Sequence, residues 1–276
     1  MQADALLNEW YRPATVPLTV ALAPLADLEA ALAVNRAMAS SPQAERLGGH
    51  CGWKMGWKGM FEKRSVLCGP LFGMGLMDSE TSVSLSAHRL FSAEAEFCVV
   101  LKAPLEPKAT AYSEAEVWAA VGTVQLCIEL CGARQFQSDD RLHSVADALL
   151  GCCVVRGPVI GTRDEIDPAS LLTHRVTFAL NGVEISSGDA ANNPGDSPLA
   201  SLTSLANELC VERGMRVAAG ALVICGHCCM AGFAGRPAPG LVWPNPRQEW
   251  GAADWTEGDV LRAEFRHSGL WRNIII

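Results

Sequence analysis

The sequence predicts an α+β chain: a helical N-terminal segment over residues 1–50, then a β-rich body over residues 51–276. Three observations carry this. Apolar residues recur at helical spacing early in the chain, at Leu25, Leu28, Leu32 and Val34. Beyond the break at Ser40 to Pro42 the texture changes to short apolar runs separated by glycine. There is no internal repeat, and the few later helices do not alternate regularly with strands, which argues against a βαβ chain.

Taken in order, the first helix is expected between about residues 23 and 40. Strands follow near 51–57, 73–77 and 94–102. Ser113 opens Ser-Glu-Ala-Glu, a capping box in which its side chain accepts from the Glu116 N–H while the Glu116 carboxylate reaches back. A short helix to about residue 121 and a strand at 124–131 come next. Residues 176–180 and 183–187 flank Asn181-Gly182, the strongest short hairpin signal. Ser197-Pro198 places a cap and a first-turn proline ahead of a helix that should stop at Gly214. Strands at 221–225, 260–266 and 270–276 close the chain. Residues 230–258 are rich in Pro, Gly and Trp, too long for a structureless connection in one domain, and read as an insertion: a functional lid or a decoration.

With 276 residues, 49% of them hydrophobic and 19% charged, the chain can bury a substantial core and is not a disordered one. The net charge of −8 disfavours nucleic acid and anionic membrane as partners. An anionic small molecule remains compatible where a metal ion and local cations reverse the potential. Residues 1–10 lack a signal pattern and no run approaches the ~20 apolar residues of a membrane span, so a cytoplasmic protein is expected. The 11 cysteines fit that: the count is odd, Cys152-Cys153 and Cys228-Cys229 are adjacent, and most sit in apolar runs as small hydrophobes.

Glu94-Ala95-Glu96 opens the apolar run 97–101. Strand alternation turns both carboxylates to one face, where like charges repel unless something positive lies between them. A hard divalent cation resolves the conflict, and a solvated strand end resolves it too. Glu129 lies inside the apolar run 124–131, where an unpaired carboxylate is costly; it is either a metal ligand or the partner of a cation such as Arg134. Lys54, flanked by Gly52 and Gly56 on its own face, has room for a ligand and suits carboxylate binding or proton transfer, against the commoner surface role of lysine. Asp78 is a general acid/base or a turn residue. The run Cys225-Gly226-His227-Cys228-Cys229 suggests a soft metal, yet its spacing matches no zinc pattern. His143 reads as structural or solvent-facing. The absence of a Gly-x-Ser-x-Gly elbow, a P-loop and a Gly-rich dinucleotide turn removes support for serine-triad hydrolysis, NTP chemistry and NAD binding.

The order of motifs resembles the 2-keto-4-pentenoate hydratase and 4-oxalocrotonate decarboxylase family of the fumarylacetoacetate hydrolase superfamily. The pieces are Gly-Trp-Lys-Met-Gly (52–56), Phe-Gly-Met-Gly-Leu-Met-Asp (72–78), Glu-Ala-Glu-Phe (94–97), Ile-Glu-Leu-Cys-Gly-Ala-Arg (128–134), Val-Ala-Asp (145–147), Ser-Pro-Leu-Ala (197–200), Leu205-Ala206-Asn207 and Ala219-Gly220. The resemblance implies a mixed β-roll with flanking helices and Mg²⁺ or Mn²⁺ held by Glu94, Glu96 and Glu129. It places Lys54 and Asp78 near the substrate. A third glutamate, where the hydrolase branch has Asp, favours the hydratase/decarboxylase branch. The expected activity is hydration of a 2-hydroxy-2,4-dienoate in the catabolism of aromatic compounds. Decarboxylation of a 2-oxo-3-enedioate such as 4-oxalocrotonate, acylpyruvate hydrolysis and a non-catalytic partner subunit are the alternatives. The substrate would be a small 2-oxo or 2-hydroxydienoic acid, and the assembly a homo-oligomer, or one working beside a sister enzyme. Gly132 and Ala148 stand where the family commonly has Asp and Asn, and Asp196-Ser197 precedes Pro198 where it has Gly-Asn. These departures point to a different substrate or, at the extreme, a degraded activity.

Overall fold

The structure, a computed structural model, describes residues 2–9, 24–56, 67–78, 83, 90–132, 146, 152–233, 251–253, 256, 258–266 and 270–275. Helix α1 (Gln2–Glu9) packs Leu6 and Leu7 against Met38, Leu47 and Phe72. Helix α2 (Leu28–Ala39) starts later than its apolar spacing suggests, because the Asp27 carboxylate accepts from the Ala30 N–H at 2.8 Å and ends the helix there. Its Ala31 and Leu32 bury against Leu67.

The strands are β1 (His50–Gly56), β2 (Leu67–Phe72), β3 (Leu76–Met77), β4 (Leu90–Leu101), β5 (Val121–Gly132), β6 (Cys152–Thr162), β7 (Arg175–Leu180), β8 (Val183–Asp189), β9 (Leu222–Phe233), β10 (Gly251–Ala253), β11 (Val260–Phe265) and β12 (Leu270–Ile275). One mixed sheet runs β2-β1-β9-β4-β5-β6-β3, with β10 paired to β9; a second runs β12-β11-β7-β8. The pairs β1–β9, β3–β6 and β9–β10 are parallel.

The large sheet is curled. Leu71 of β2, Cys98 of β4, Cys127 of β5, Val154 of β6 and Leu222 and Ile224 of β9 form one buried cluster, against which Cys51 of β1 and Leu76 of β3 pack. In a flat sheet β2 and β3 would lie ~29 Å apart, six strand spacings, so this cluster exists only because the sheet rolls up around it. The other face carries Phe97, Leu126, Ile128 and Val223 into the main core, where Phe97 meets Phe265 of the second sheet edge-on at 5.2 Å. This is the mixed α+β roll that the motif order implied.

Central strands β4, β5 and β9 are longer than expected. Both of their faces are buried, so their sequence lacks the alternation that marks strand ends. The expected strand at 73–77 is instead a 3-10 turn (Gly73–Gly75) and a two-residue strand. The cause is a close backbone approach: the Gly73 N–H donates to the Gly49 carbonyl, and a Cβ on Gly73 would lie 2.5 Å from the Gly48 carbonyl oxygen. At the expected insertion, residues 230–233 continue β9, residues 234–250 lie outside the described residues, and 251–253 return as β10.

Three local signals act as read. The Ser113 capping box is present in both directions ahead of α3 (Glu114–Ala120). Asn181 (φ 49°) and Gly182 (φ 85°) make the tight turn between β7 and β8. Ser197 caps α4 (Pro198–Ala206) by accepting from the Ala200 N–H. The helical run then widens into a π-helical turn, Asn207–Glu212, before Gly214 (φ 63°). Among the described residues no helix is long and apolar enough to cross a membrane.

Candidate functional site

The face of the large sheet that carries this buried cluster also carries a group of acids. Glu94 and Glu96 of β4 and Glu129 of β5 point into it, with Glu94 paired directly opposite Glu129 and Glu96 opposite Cys127. One carboxylate oxygen from each lies within 4.8 Å of the other two. Glu96 and Glu129 are buried, and the Glu94 side chain is 14% exposed. Lys54 of β1, also buried, makes an ion pair with Glu129 Oε1. Lys54 stands opposite Ile224 of β9, which stands opposite Cys98 of β4, so it projects from the same face as the glutamates.

Three carboxylates and one ammonium carry a net −2 when all are ionised. Burial, then the Glu129 charge, pushes Glu94 up to about 7, with Lys54 pulling the other way. Burial followed by the Glu129 and Glu94 charges drives Glu96 well above the usual carboxylate range, opposed by the Gly226 N–H. That N–H donates to Glu96 Oε2 at 2.7 Å, while Glu96 Oε1 is buried with no hydrogen-bond partner among the described residues. A cluster of acids strained by its own charge, with an orphaned buried oxygen, fits a hard divalent cation with oxygen ligands.

Strand β9 supplies the wall opposite β4. Its pairing with β4 shifts register on both sides of Glu96, and Gly226 takes φ 95°. A Cβ there would lie 2.5 Å from Pro194 Cδ. The freed carbonyls are met from the segment ahead of α4 and from α4 itself. Asn193 Nδ2 donates to the carbonyls of Gly226 and His227, Asn192 Nδ2 to that of Cys228 at 2.8 Å, and Ser201 Oγ to that of Cys225 at 2.6 Å. The bulge turns the Gly226 N–H onto Glu96 and sets His227 opposite it, with His227 Nδ1 3.7 Å from Glu94 Oε2.

The structure thus brings together Glu94, Glu96, Glu129 and Lys54. It places Asp78 elsewhere: at the end of β3, three strands along from β4, 83% exposed and paired with Arg156 at 2.7 Å. Glu129 takes Lys54 as its cation; Arg134 lies outside the described residues, as does His143. The room that Gly52 leaves beside Lys54 belongs to β9, since a Cβ on Gly52 would fall 2.0 Å from the Leu222 carbonyl oxygen. Cys225, Cys228 and Cys229 are free, buried in the main core, with burial raising each thiol. They behave as small hydrophobes and not as a soft-metal cluster. Sequence reasoning met Gly226 and His227 only as part of a soft-metal run, not beside the glutamates, and missed Asn193. The one available signal was a histidine in the otherwise apolar run 221–231.

No family model and no curated protein matches the chain by sequence. Its three-dimensional structure does match solved ones. A 4-oxalocrotonate decarboxylase from Pseudomonas putida G7, complexed with magnesium and adipate, superposes with a TM-score of 0.75 at 20% identity, covering 99% of this chain and 95% of the other. The same enzyme with calcium and acetate gives 0.73 at 22% identity, covering 99% and 96%. A fumarylacetoacetate hydrolase from Exiguobacterium antarcticum gives 0.54 at 15% identity, covering 83% and 76%. The fold is the one these solved structures share, and the likeness to the decarboxylase runs nearly end to end.

Proposed function

We propose that the chain is a divalent-metal-dependent lyase that hydrates a small 2-hydroxy-2,4-dienoate, or its 2-oxo tautomer. The observation that carries this reading is the convergence of three carboxylates from two paired strands on one buried spot beside a single lysine. Glu94, Glu96 and Glu129 would hold Mg²⁺ or Mn²⁺. Such a cation supplies a Lewis acid where negative charge develops on the C2 oxygen of a 2-oxo acid.

The chain's own residues do the rest. Lys54 presents its ammonium at the carboxylates, where it would bind the substrate carboxylate or the developing oxyanion. The Gly226 N–H fixes one oxygen of Glu96 and so sets the direction of the other. Asp78 is the proton carrier that the motif resemblance implies; it stands apart from the glutamates, at the end of β3 and paired with Arg156, and would have to reach the substrate from there. Arg156 orients the Asp78 carboxylate.

A second reading, decarboxylation of a 2-oxo-3-enedioate, is favoured by the near full-length likeness to a 4-oxalocrotonate decarboxylase. Both reactions use the same enolate, and the far end of the pocket decides between water addition and CO₂ loss. An ultraviolet assay with 2-hydroxypenta-2,4-dienoate and 2-oxohex-3-enedioate, run beside Glu94→Gln, tests them. Metal-dependent loss of dienoate absorbance that vanishes in the variant supports hydration. Carbon dioxide from the dicarboxylate transfers the assignment to the decarboxylase. Absence of both reactions and of metal binding sinks the proposal and leaves a non-catalytic partner subunit.

A further inference from the structure

We infer that Arg156 determines specificity at the far end of the substrate: its guanidinium receives a second carboxylate, so the 2-oxo or 2-hydroxydienoic acid of this site is a diacid. The assignment rests on the reading that Glu94, Glu96 and Glu129 hold a divalent cation at the acid's head, and deepens it by naming the tail.

Strand register puts Arg156 in line with the site. It stands directly opposite Cys127 of β5, which stands directly opposite Glu96 of β4. Residues opposite one another in antiparallel strands share a face. Val154, two residues before Arg156, lies in the buried cluster with Cys127 and Cys98. Arg156 therefore rises from the face that carries the glutamates. Its backbone is fixed there: the β5–β6 register shifts just beyond it, and a Cβ on Gly157 would fall 2.3 Å from the Leu126 carbonyl oxygen. Lys54 and Arg156 are the only lysine and arginine in the described strands of the large sheet, and both stand on this face.

Distance and access both suit a second carboxylate. Two strand spacings set the Arg156 Cα ~10 Å from that of Glu96. An extended six-carbon diacid, ~6 Å between its end carbons, with a hydrogen bond of ~2.9 Å at one end, is of that length. The guanidinium also lies over the interior of the curl. Burial pushes the Cys51 thiol up to about 11, and the Arg156 charge opposes that rise. Cys51 belongs to β1, which in a flat sheet would lie four spacings, or ~19 Å, from β6. The Arg156 side chain is 45% exposed, so an anion can reach it. Its Nη2 donates to Asp78 at 2.7 Å, an exposed and therefore weak pair that uses one of five N–H donors. An incoming carboxylate can take two of the others side by side.

Titration calorimetry of the Mn²⁺-loaded full chain with 2-oxohexanedioate and with 2-oxohexanoate tests this. The two share a head and a chain length, differ only in the distal carboxylate, and lack the double bonds of a dienoate. The diacid should bind at least ~10-fold tighter, and Arg156→Gln should abolish that preference with the monoacid affinity nearly unchanged. Arg156→Lys should keep part of it, as a point charge without the fork. A purely structural role for Arg156 would weaken both ligands together and leave their ratio unmoved. Equal affinities in the wild type, or a preference that survives in Arg156→Gln, overturn the assignment and leave the metal centre standing. Failure of the wild-type chain to bind Mn²⁺, or of the loaded chain to bind either acid, overturns the reading of the metal centre, and this assignment with it. Should the variants fail to fold, the wild-type ratio alone decides.

Discussion

At the scale of single residues, Lys54 is the only cation that the described residues bring into direct contact with the three glutamates. Removing it leaves Glu129 buried beside two other acids. Lys54→Met should therefore cost on the order of 3 kcal/mol in metal-free denaturant unfolding, the typical consequence of breaking a buried pair from one side. Saturating Mn²⁺ should recover part of that loss, because the ion supplies the missing positive charge. An unchanged midpoint without metal would mean that the Lys54–Glu129 pair adds nothing to the stability of the fold. Glu96→Gln is expected to behave differently. It keeps the oxygen that accepts from the Gly226 N–H and removes a charge that burial and two neighbours disfavour. It should leave the metal-free protein as stable as before, or more so, while weakening Mn²⁺ binding in calorimetry at least ~10-fold.

At the scale of elements, the bulge in β9 is the feature on which the site's geometry depends. Gly226→Ala meets both a φ of 95° and Pro194 Cδ at 2.5 Å. Strain in that region costs ~1–3 kcal/mol before any steric relief, so the variant should lose stability by at least that much in urea. It should also lose Mn²⁺ affinity, since the displaced N–H no longer orients Glu96. Ser113→Ala is the contrasting case. It removes one half of the capping box ahead of α3, should cost ~1 kcal/mol, and should leave metal binding untouched, because α3 carries no residue of the site. Equal effects of the two substitutions on metal affinity would mean that the site responds to global stability and not to the bulge.

At the scale of the whole molecule, the buried acids tie stability to pH. Glu94 is pushed from its ordinary 4.5 up to about 7, and Glu96 is raised in the same direction. A carboxyl whose folded pKa lies above its unfolded one binds more protons when folded. The metal-free protein should therefore lose stability as pH rises from about 4.5 to about 7, by up to on the order of 3 kcal/mol from Glu94, with Glu96 adding to the loss in the same direction. The groups facing this acid are Glu96, Glu129, Lys54, Cys131 and His227. With saturating Mn²⁺ the trend should flatten or reverse, because the ion competes with the protons. Thermal unfolding followed across that pH range with and without Mn²⁺ reads both curves. Metal at a hundredfold excess over its Kd should add ~2.7 kcal/mol.

The sequence by itself determined the local features: the capping box at Ser113, the Asn181-Gly182 turn, the cap at Ser197, and the pair of acids on one face of β4. Each follows from residue types a few positions apart, and such interactions survive in any tertiary setting. The order of the motifs was enough to anticipate a roll, though no stretch of sequence contains the curl. Tertiary structure alone decided which cation meets Glu129, since Lys54 lies 75 positions away along the chain. It decided that the space beside Gly52 belongs to β9, that Asp78 pairs with Arg156, and that His227 stands against the glutamates. A β-sheet joins residues by register between distant strands. A bulge such as the one at Gly226 moves a side chain from one neighbour to the next without any periodic trace in the sequence.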